Sequence, residues 1–346
     1  MRHSQKSEPN MKERHLQPAD LEGKTIDCHS HLGVILKAYV NIEFPCAQTV
    51  EGIYYQQISS GVDVNVVFPL APELYFDLPT LLKTGEAIPA ESPLSPVPYA
   101  VENRQLMSEV FRFCPEFQDR FLTFVSADPG RDITGQIGAL RELEEEYPIY
   151  GIKISPVLCQ SPVTELLGRS KALVDFALER NIPMLIHSTV DPKERYSQVV
   201  DILQVAETYP ELRVCLAHCA GFDRAYLERA DRMPNVWVDT SALKIQVQMT
   251  HEQNPVMALP DRRFEADYSD HRAVILALAE AFPETILWGS DSPAYSYICL
   301  RQQADGVYQE FRLKANYEDE VAALDALNQE SRLKLSNTNT RRFLFG

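Results

Sequence analysis

The residues with the clearest chemical content are His29 and His31, which stand one residue apart in His29-Ser30-His31. Alternate side chains of an extended strand point to one face, so both imidazoles reach a single ion at about 2.0–2.1 Å, whereas helical ligand pairs need i, i+4 spacing. Taken alone, two such histidines serve equally well as solvated or hydrogen-bonded structural groups. Their company adds weight. Of the eight histidines in the chain, His187 and His218 also end short β-rich runs, and Asp291 ends another in Trp288-Gly289-Ser290-Asp291. Histidines with a carboxylate suit a divalent cation that brings the pKa of a bound water to about 7, and a nearby carboxylate can accept the proton released.

Residues so distant in sequence meet only if parallel strands bring their C-terminal ends together. Eight runs have strand character, at residues 24–28, 62–68, 121–125, 151–154, 183–186, 213–217, 236–239 and 285–288. The second is almost continuously apolar, as expected of a strand covered on both faces. Segments 133–147, 166–180, 199–209 and 273–282 carry apolar residues at helical spacing, and Pro148, Pro183, Pro210, Pro234 and Pro283 mark where such segments must stop. Strand, helix, stop, strand is the βα unit. Eight units predict an α/β fold, a closed (β/α)8 TIM barrel; an open doubly wound sheet comes second, and no GxGxxG follows the first strand. Residues 71–100 after the second strand and 242–269 after the seventh exceed ordinary loop length. Both lie on the active face of a barrel, as lids, substrate walls or passive insertions.

Composition narrows the function. A chain of 346 residues with 45% hydrophobic and 24% charged residues can bury a large core. Its length allows two domains, but one barrel with insertions absorbs it: a flexible tail over residues 1–20, then a single domain over residues 21–346. Thirty-three basic against 49 acidic residues give a net charge of −16, which argues against nucleic acid and anionic membrane surfaces as partners. No signal peptide or run of about 18 apolar residues is visible. Seven scattered cysteines do not resemble a secreted disulfide framework, so a reducing cytoplasm is expected. Tyr295-Ser296-Tyr297 leaves a homo-oligomer interface or a substrate wall open.

Five motifs in order, Ile26-Asp27-Cys28-His29-Ser30-His31, Gly151-Ile152-Lys153-Ile154-Ser155-Pro156, Pro183-Met184-Leu185-Ile186-His187, Leu216-Ala217-His218-Cys219-Ala220-Gly221 and Trp288-Gly289-Ser290-Asp291-Ser292-Pro293, resemble the amidohydrolase superfamily, in its amidohydrolase-related branch of metal-dependent hydrolases and decarboxylases. The C-terminal segment 337–346 resembles that branch's last helix. The resemblance implies that His29, His31 and His187 ligate one divalent ion, usually zinc. Asp291 would touch the metal and handle the proton of its water, and His218 would polarise substrate or move a proton. In related binuclear enzymes a lysine at the position of Lys153 is carboxylated and bridges two ions, and His187 and His218 would then hold the second. Lys153 here is followed by Ile154-Ser155, with serine where the branch often has histidine, and a lysine that pairs with a carboxylate or binds an anionic substrate fits as well.

The expected activity is a metal-dependent hydrolase that attacks a small organic acid, lactone or amide with a metal-activated water. The alternative is non-oxidative decarboxylation of an aromatic or muconate-type acid; some such members replace the first histidine by glutamate, and this chain does not. A non-catalytic metal-binding barrel is the third reading. Cys215 and Cys219 are expected to pack rather than ligate, Asp239-Thr240-Ser241 to cap the following segment or touch substrate, and the run Glu142, Glu144, Glu145, Glu146 to form a solvated helix face.

Overall fold

The computed structural model describes residues 15–302 and 307–346. Nine strands form one sheet in the order β2-β1-β3-β4-β5-β6-β7-β8-β9. They are β1 (Ile26–Val34), β2 (Ala47–Gln48), β3 (Val64–Pro69), β4 (Phe121–Ala127), β5 (Gly151–Ile154), β6 (Met184–Ile186), β7 (Val214–Leu216), β8 (Val236–Asp239) and β9 (Ile286–Leu287). All neighbours are parallel except the short β2, which adds antiparallel to the end of β1. The sheet curls until its ends meet. The Cys28 amide donates to the Trp288 carbonyl at 3.1 Å, and the Asp291 amide donates to the His29 carbonyl at 2.8 Å. The eight parallel strands are the eight expected from the sequence, and together with the intervening helices they make an α/β TIM barrel.

Period-two alternation sorts each strand into two layers. Ile26, Cys28, Val64, Val66, Phe68, Leu122, Phe124, Leu185, Cys215, Trp237 and Leu287 fill the lumen. Val67, Val125, Ile152, Ile154, Met184, Ile186, Val214, Leu216, Val236, Val238 and Ile286 pack outward against the helices. Lys153 lies between two outward isoleucines and therefore faces the lumen. Phe343 and Leu344 of the last helix, Asn339–Phe345, join the lumenal cluster together with Leu16 and Leu21.

Several expectations about the connections change. Residues 1–14 of the expected tail lie outside the described residues, whereas residues 15–20 are folded. Leu16 is 4% exposed, its amide donates to the Tyr150 hydroxyl at 2.7 Å, and Pro18–Leu21 forms a 3₁₀ turn. The two long segments are not structureless, for they contain the helices Leu78–Thr84 and Leu243–His251. The helix expected over 166–180 begins only at Lys171 after a 3₁₀ turn, Val163–Leu167. The acidic run extends past a helix that ends at Glu144, and Glu144 and Glu146 pair with Arg180, Arg104 and Arg112. One element carried no sequence expectation, a hairpin of β10 (Tyr297–Gln302) and β11 (Tyr308–Leu313) that forms its own two-stranded sheet. No helix among the described residues is long and apolar enough to cross a membrane.

Candidate metal centre

The C-terminal ends of the barrel strands collect the chemistry. β1 runs through His29-Ser30-His31, where a register shift between Asp27 and Ser30 breaks the alternation set by Ile26 and Cys28, so that Leu32 packs on the helix layer and both imidazoles turn inward. Asp291 follows β9 with a left-handed φ of 63° and brings its carboxylate across to them. His31 Nε2 lies 3.0 Å and His29 Nε2 3.2 Å from the same Asp291 oxygen, Oδ1. Donor atoms of His29, His31 and Asp291 all fall within 4.8 Å of one another, which makes these three a set able to hold a metal ion. All three side chains are buried, and His31 Nδ1 is a buried nitrogen with no hydrogen-bond partner. Two imidazoles and a carboxylate fit a borderline divalent cation such as zinc.

The surroundings separate the charge states of these groups. Burial alone would raise the Asp291 carboxyl, but His29, His31 and His218 outweigh it and hold it well below the ordinary carboxylate range. Burial brings His31 down to about 4. At His29, burial and Lys153 lower the pKa, yet Asp239 and Asp291 prevail and leave it above its ordinary value. Lys153 Nζ stands 3.2 Å from His29 Nε2 and 4.7 Å from the centre of the Phe68 ring, and burial lowers its ammonium to about 8 against the pull of Asp239 and Asp291. A buried cation beside two carboxylates and an imidazole joins the lysine of β5 to the same cluster.

His187 and His218 form a second pair beside this set. His218 opens a turn, His218–Phe222, whose five residues all have left-handed φ between 48° and 63°. That backbone costs roughly 1–2 kcal/mol for each non-glycine residue and persists only where the surroundings enforce it. Part of the enforcement is Asp239, whose Oδ1 accepts from the His218 amide at 3.0 Å. The ring of His218 has a defined orientation. Its Nδ1 faces the Ser241 carbonyl at 3.2 Å and the Ser241 hydroxyl oxygen at 3.0 Å, while that hydroxyl donates to Asp239 Oδ1 at 2.5 Å. Both neighbours of Nδ1 are therefore acceptors, Nδ1 carries the proton, and Nε2 accepts from His187 Nδ1 at 2.9 Å. His187 is left with Nε2 as its free lone pair. Burial lowers the pKa of both rings, well below the ordinary value for His187, so both are neutral at pH 7.

Of the six residues singled out in the sequence, the structure thus brings His29, His31, Asp291 and Lys153 into direct contact. His187 is outside the tight three-residue set and bonds His218, which lies 3.9 Å from Asp291 Oδ2. Sequence reasoning placed Asp239 only as a cap or substrate contact. Its Oδ2 accepts from His29 Nδ1 at 2.8 Å, a bond across 210 positions that no local pattern announces. Asp27 was likewise missed as a hub: its carboxylate accepts from Ser30, Asn65, Ser290 and Tyr317 side chains and so ties β1, β3 and the segment after β9 together behind the site. A cavity of about 440 Å³ between the helices Ala100–Ser108 and Ile133–Glu144 contains none of the site residues.

Comparison with known proteins agrees with this architecture. The chain resembles a protein from Acinetobacter baumannii described as a probable 2-pyrone-4,6-dicarboxylic acid hydrolase, solved with citric acid bound, at 14% identity and TM-score 0.54 over 93% of this chain and 99% of that one. An amidohydrolase from Burkholderia multivorans with bound zinc matches at 13% identity and TM-score 0.55, over 93% and 99%. The Metarhizium anisopliae IDCase in apo form matches at 10% identity and TM-score 0.52, over 94% and 98%. At these identities the likeness establishes the shared fold. No curated protein matches the chain in sequence. The amidohydrolase family profile matches residues 82–346, from the segment after β3 through His187, His218 and Asp291 to the last helix. With the barrel and its histidine and carboxylate cluster described, that match establishes that the chain belongs to the amidohydrolase family.

Proposed function

We propose that this protein is a metal-dependent hydrolase of a small organic acid, lactone or amide. The observation that carries the reading is the convergence of His29, His31 and Asp291 donors within 4.8 Å at the C-terminal mouth of the barrel. In this reading His29, His31, His187 and Asp291 hold one divalent ion, zinc in the first instance, and a second ion enters only if Lys153 is carboxylated. The cation, when bound, supplies Lewis acidity that acidifies a water or polarises the substrate. Asp291, kept ionised by its histidine neighbours, accepts the proton at its carboxylate. His218, neutral and held by Ser241, polarises the substrate or moves a proton. Lys153 contributes positive charge that draws an anionic substrate into an acidic protein.

Decarboxylation of an aromatic or muconate-type acid is the second reading, for which the same histidine and carboxylate cluster would hold the cation. The partner in either case is a small molecule. Seven free thiols support a reducing, cytoplasmic location. Exposed Phe44, which bridges to Ile298 of the hairpin, and exposed Leu300 and Tyr308 on that hairpin support self-association, which sedimentation measures directly. The test of function is turnover across lactones, amides and aromatic carboxylates with the zinc-loaded protein, monitored for both water uptake and carbon dioxide release. Water uptake supports hydrolysis, carbon dioxide release without net water consumption supports the second reading, and no turnover of any class by the loaded protein contradicts both.

A further inference from the structure

We infer that Asp239 is the positioning residue of this site, which fixes the tautomer of His29 and so keeps His29 Nε2 available as a lone pair. The two oxygens of its fully buried carboxylate have separate duties. Oδ1 is surrounded by donors alone: the His218 amide at 3.0 Å, the Ser241 amide at 3.0 Å and the Ser241 hydroxyl at 2.5 Å. Oδ2 meets His29 Nδ1 at 2.8 Å, with the weak Cys215 thiol at 3.8 Å. An ionised carboxylate only accepts, so His29 Nδ1 carries a proton; in the neutral ring Nε2 is then the lone pair, which accepts from Lys153 Nζ at 3.2 Å beside Asp291 Oδ1 at 3.2 Å. Carboxylate–imidazole pairs of this kind set both ring orientation and basicity.

The asymmetry makes an amide substitution unusually informative. In Asp239→Asn the three donors around the Oδ1 position oblige the amide oxygen to stay on that side, which turns the amide NH2 toward His29 Nδ1. That nitrogen must then accept, and the proton moves to Nε2, the atom the site needs bare. The shape of the pocket is unchanged while the tautomer is inverted. The consequence for metal affinity rests on the metal reading above; the tautomer assignment does not.

The experiment pairs two readouts. Long-range ¹⁵N–¹H correlation spectra of the metal-free proteins, at a pH where the ring is neutral, report which nitrogen of His29 is protonated. Competition with a chromophoric chelator reports Zn²⁺ affinity. Wild type is expected to carry the His29 proton on Nδ1 and D239N to carry it on Nε2, with Zn²⁺ affinity lower by about 10–100-fold. Ser241→Ala, which leaves the carboxylate in place, is expected to keep the wild-type His29 tautomer. A wild-type His29 protonated on Nε2 overturns the assignment even if D239N fails to fold, and so does a D239N protein that keeps Nδ1 protonated. Inverted tautomers in a protein whose wild type binds no Zn²⁺ support Asp239 as the positioning residue while removing the metal reading.

Discussion

Replacing Gly289 by alanine tests how tightly the barrel seam positions His29. A Cβ at residue 289 would stand 2.8 Å from His29 Cβ, 3.1 Å from Cys28 Sγ and 3.2 Å from the His29 backbone nitrogen. Carbon pairs rest at about 3.5–4.0 Å, so the His29 contact alone must open by about 0.7 Å. The backbone cannot simply retreat. The same crossing carries the Cys28 amide bond to Trp288 and the Asp291 amide bond to His29 that close the barrel. Overpacking costs about 1–3 kcal/mol and a weakened hydrogen bond about 1 kcal/mol, so G289A should lose about 2–4 kcal/mol in urea unfolding. Displacing His29 by more than the roughly 0.5 Å a preorganised site tolerates should also weaken Zn²⁺ binding by at least tenfold. Gly138 supplies the control, because its Cβ would meet nothing within 4 Å in the helix Ile133–Glu144. G138A should gain about 0.5–1 kcal/mol from helix propensity and leave Zn²⁺ affinity unchanged. A G289A protein with wild-type stability and affinity would refute the close-packed seam.

Two further perturbations probe the rim. Glu102 lines a cavity of about 180 Å³ beside Leu32 and Leu74, one of its oxygens is buried without a partner, and burial raises its carboxyl from 4.5 to about 7. The folded state therefore holds a proton that the unfolded state releases above pH 4.5, so stability falls as pH rises from about 4.5 to about 7, by at most about 3 kcal/mol. Urea unfolding at pH 5 and pH 8 should show E102Q losing less stability than wild type between them; equal losses would contradict the assignment. Arg131 bonds buried Asp128, the Cys159 carbonyl, Ser161 and the Ala87 carbonyl, and so fastens the segment after β3 to the barrel. R131A strands the Asp128 carboxylate, should cost about 3–5 kcal/mol, and should open residues 71–100 to limited proteolysis; an unchanged digestion pattern would contradict that anchoring.

The barrel was legible because its signals are local. Apolar strand runs and the prolines that stop helices report burial and backbone geometry within a few residues, and strand-end histidines inherit their position from the strands. Lys153 could be placed in the lumen from alternation with Ile152 and Ile154. The links that prepare the site are different in kind. Asp239 reaches His29 across 210 positions and Asp27 reaches Tyr317 across 290, so neither neighbour sequence carries a trace of the partner. The left-handed turn at His218–Phe222 contains one glycine among five residues and is imposed by tertiary contacts rather than propensity. The β10–β11 hairpin mixes polar and apolar side chains without clean alternation, since much of it is exposed.

The central claim, that His29, His31 and Asp291 hold a catalytic divalent ion, is tested most directly by metal content per chain in purified wild type and in the His29→Ala/His31→Ala double variant. The account predicts one ion per wild-type chain and none in the folded double variant, with turnover lost alongside. Two ions per chain would assign Lys153 to a carboxylated bridge. Full metal content in the double variant would contradict the claim.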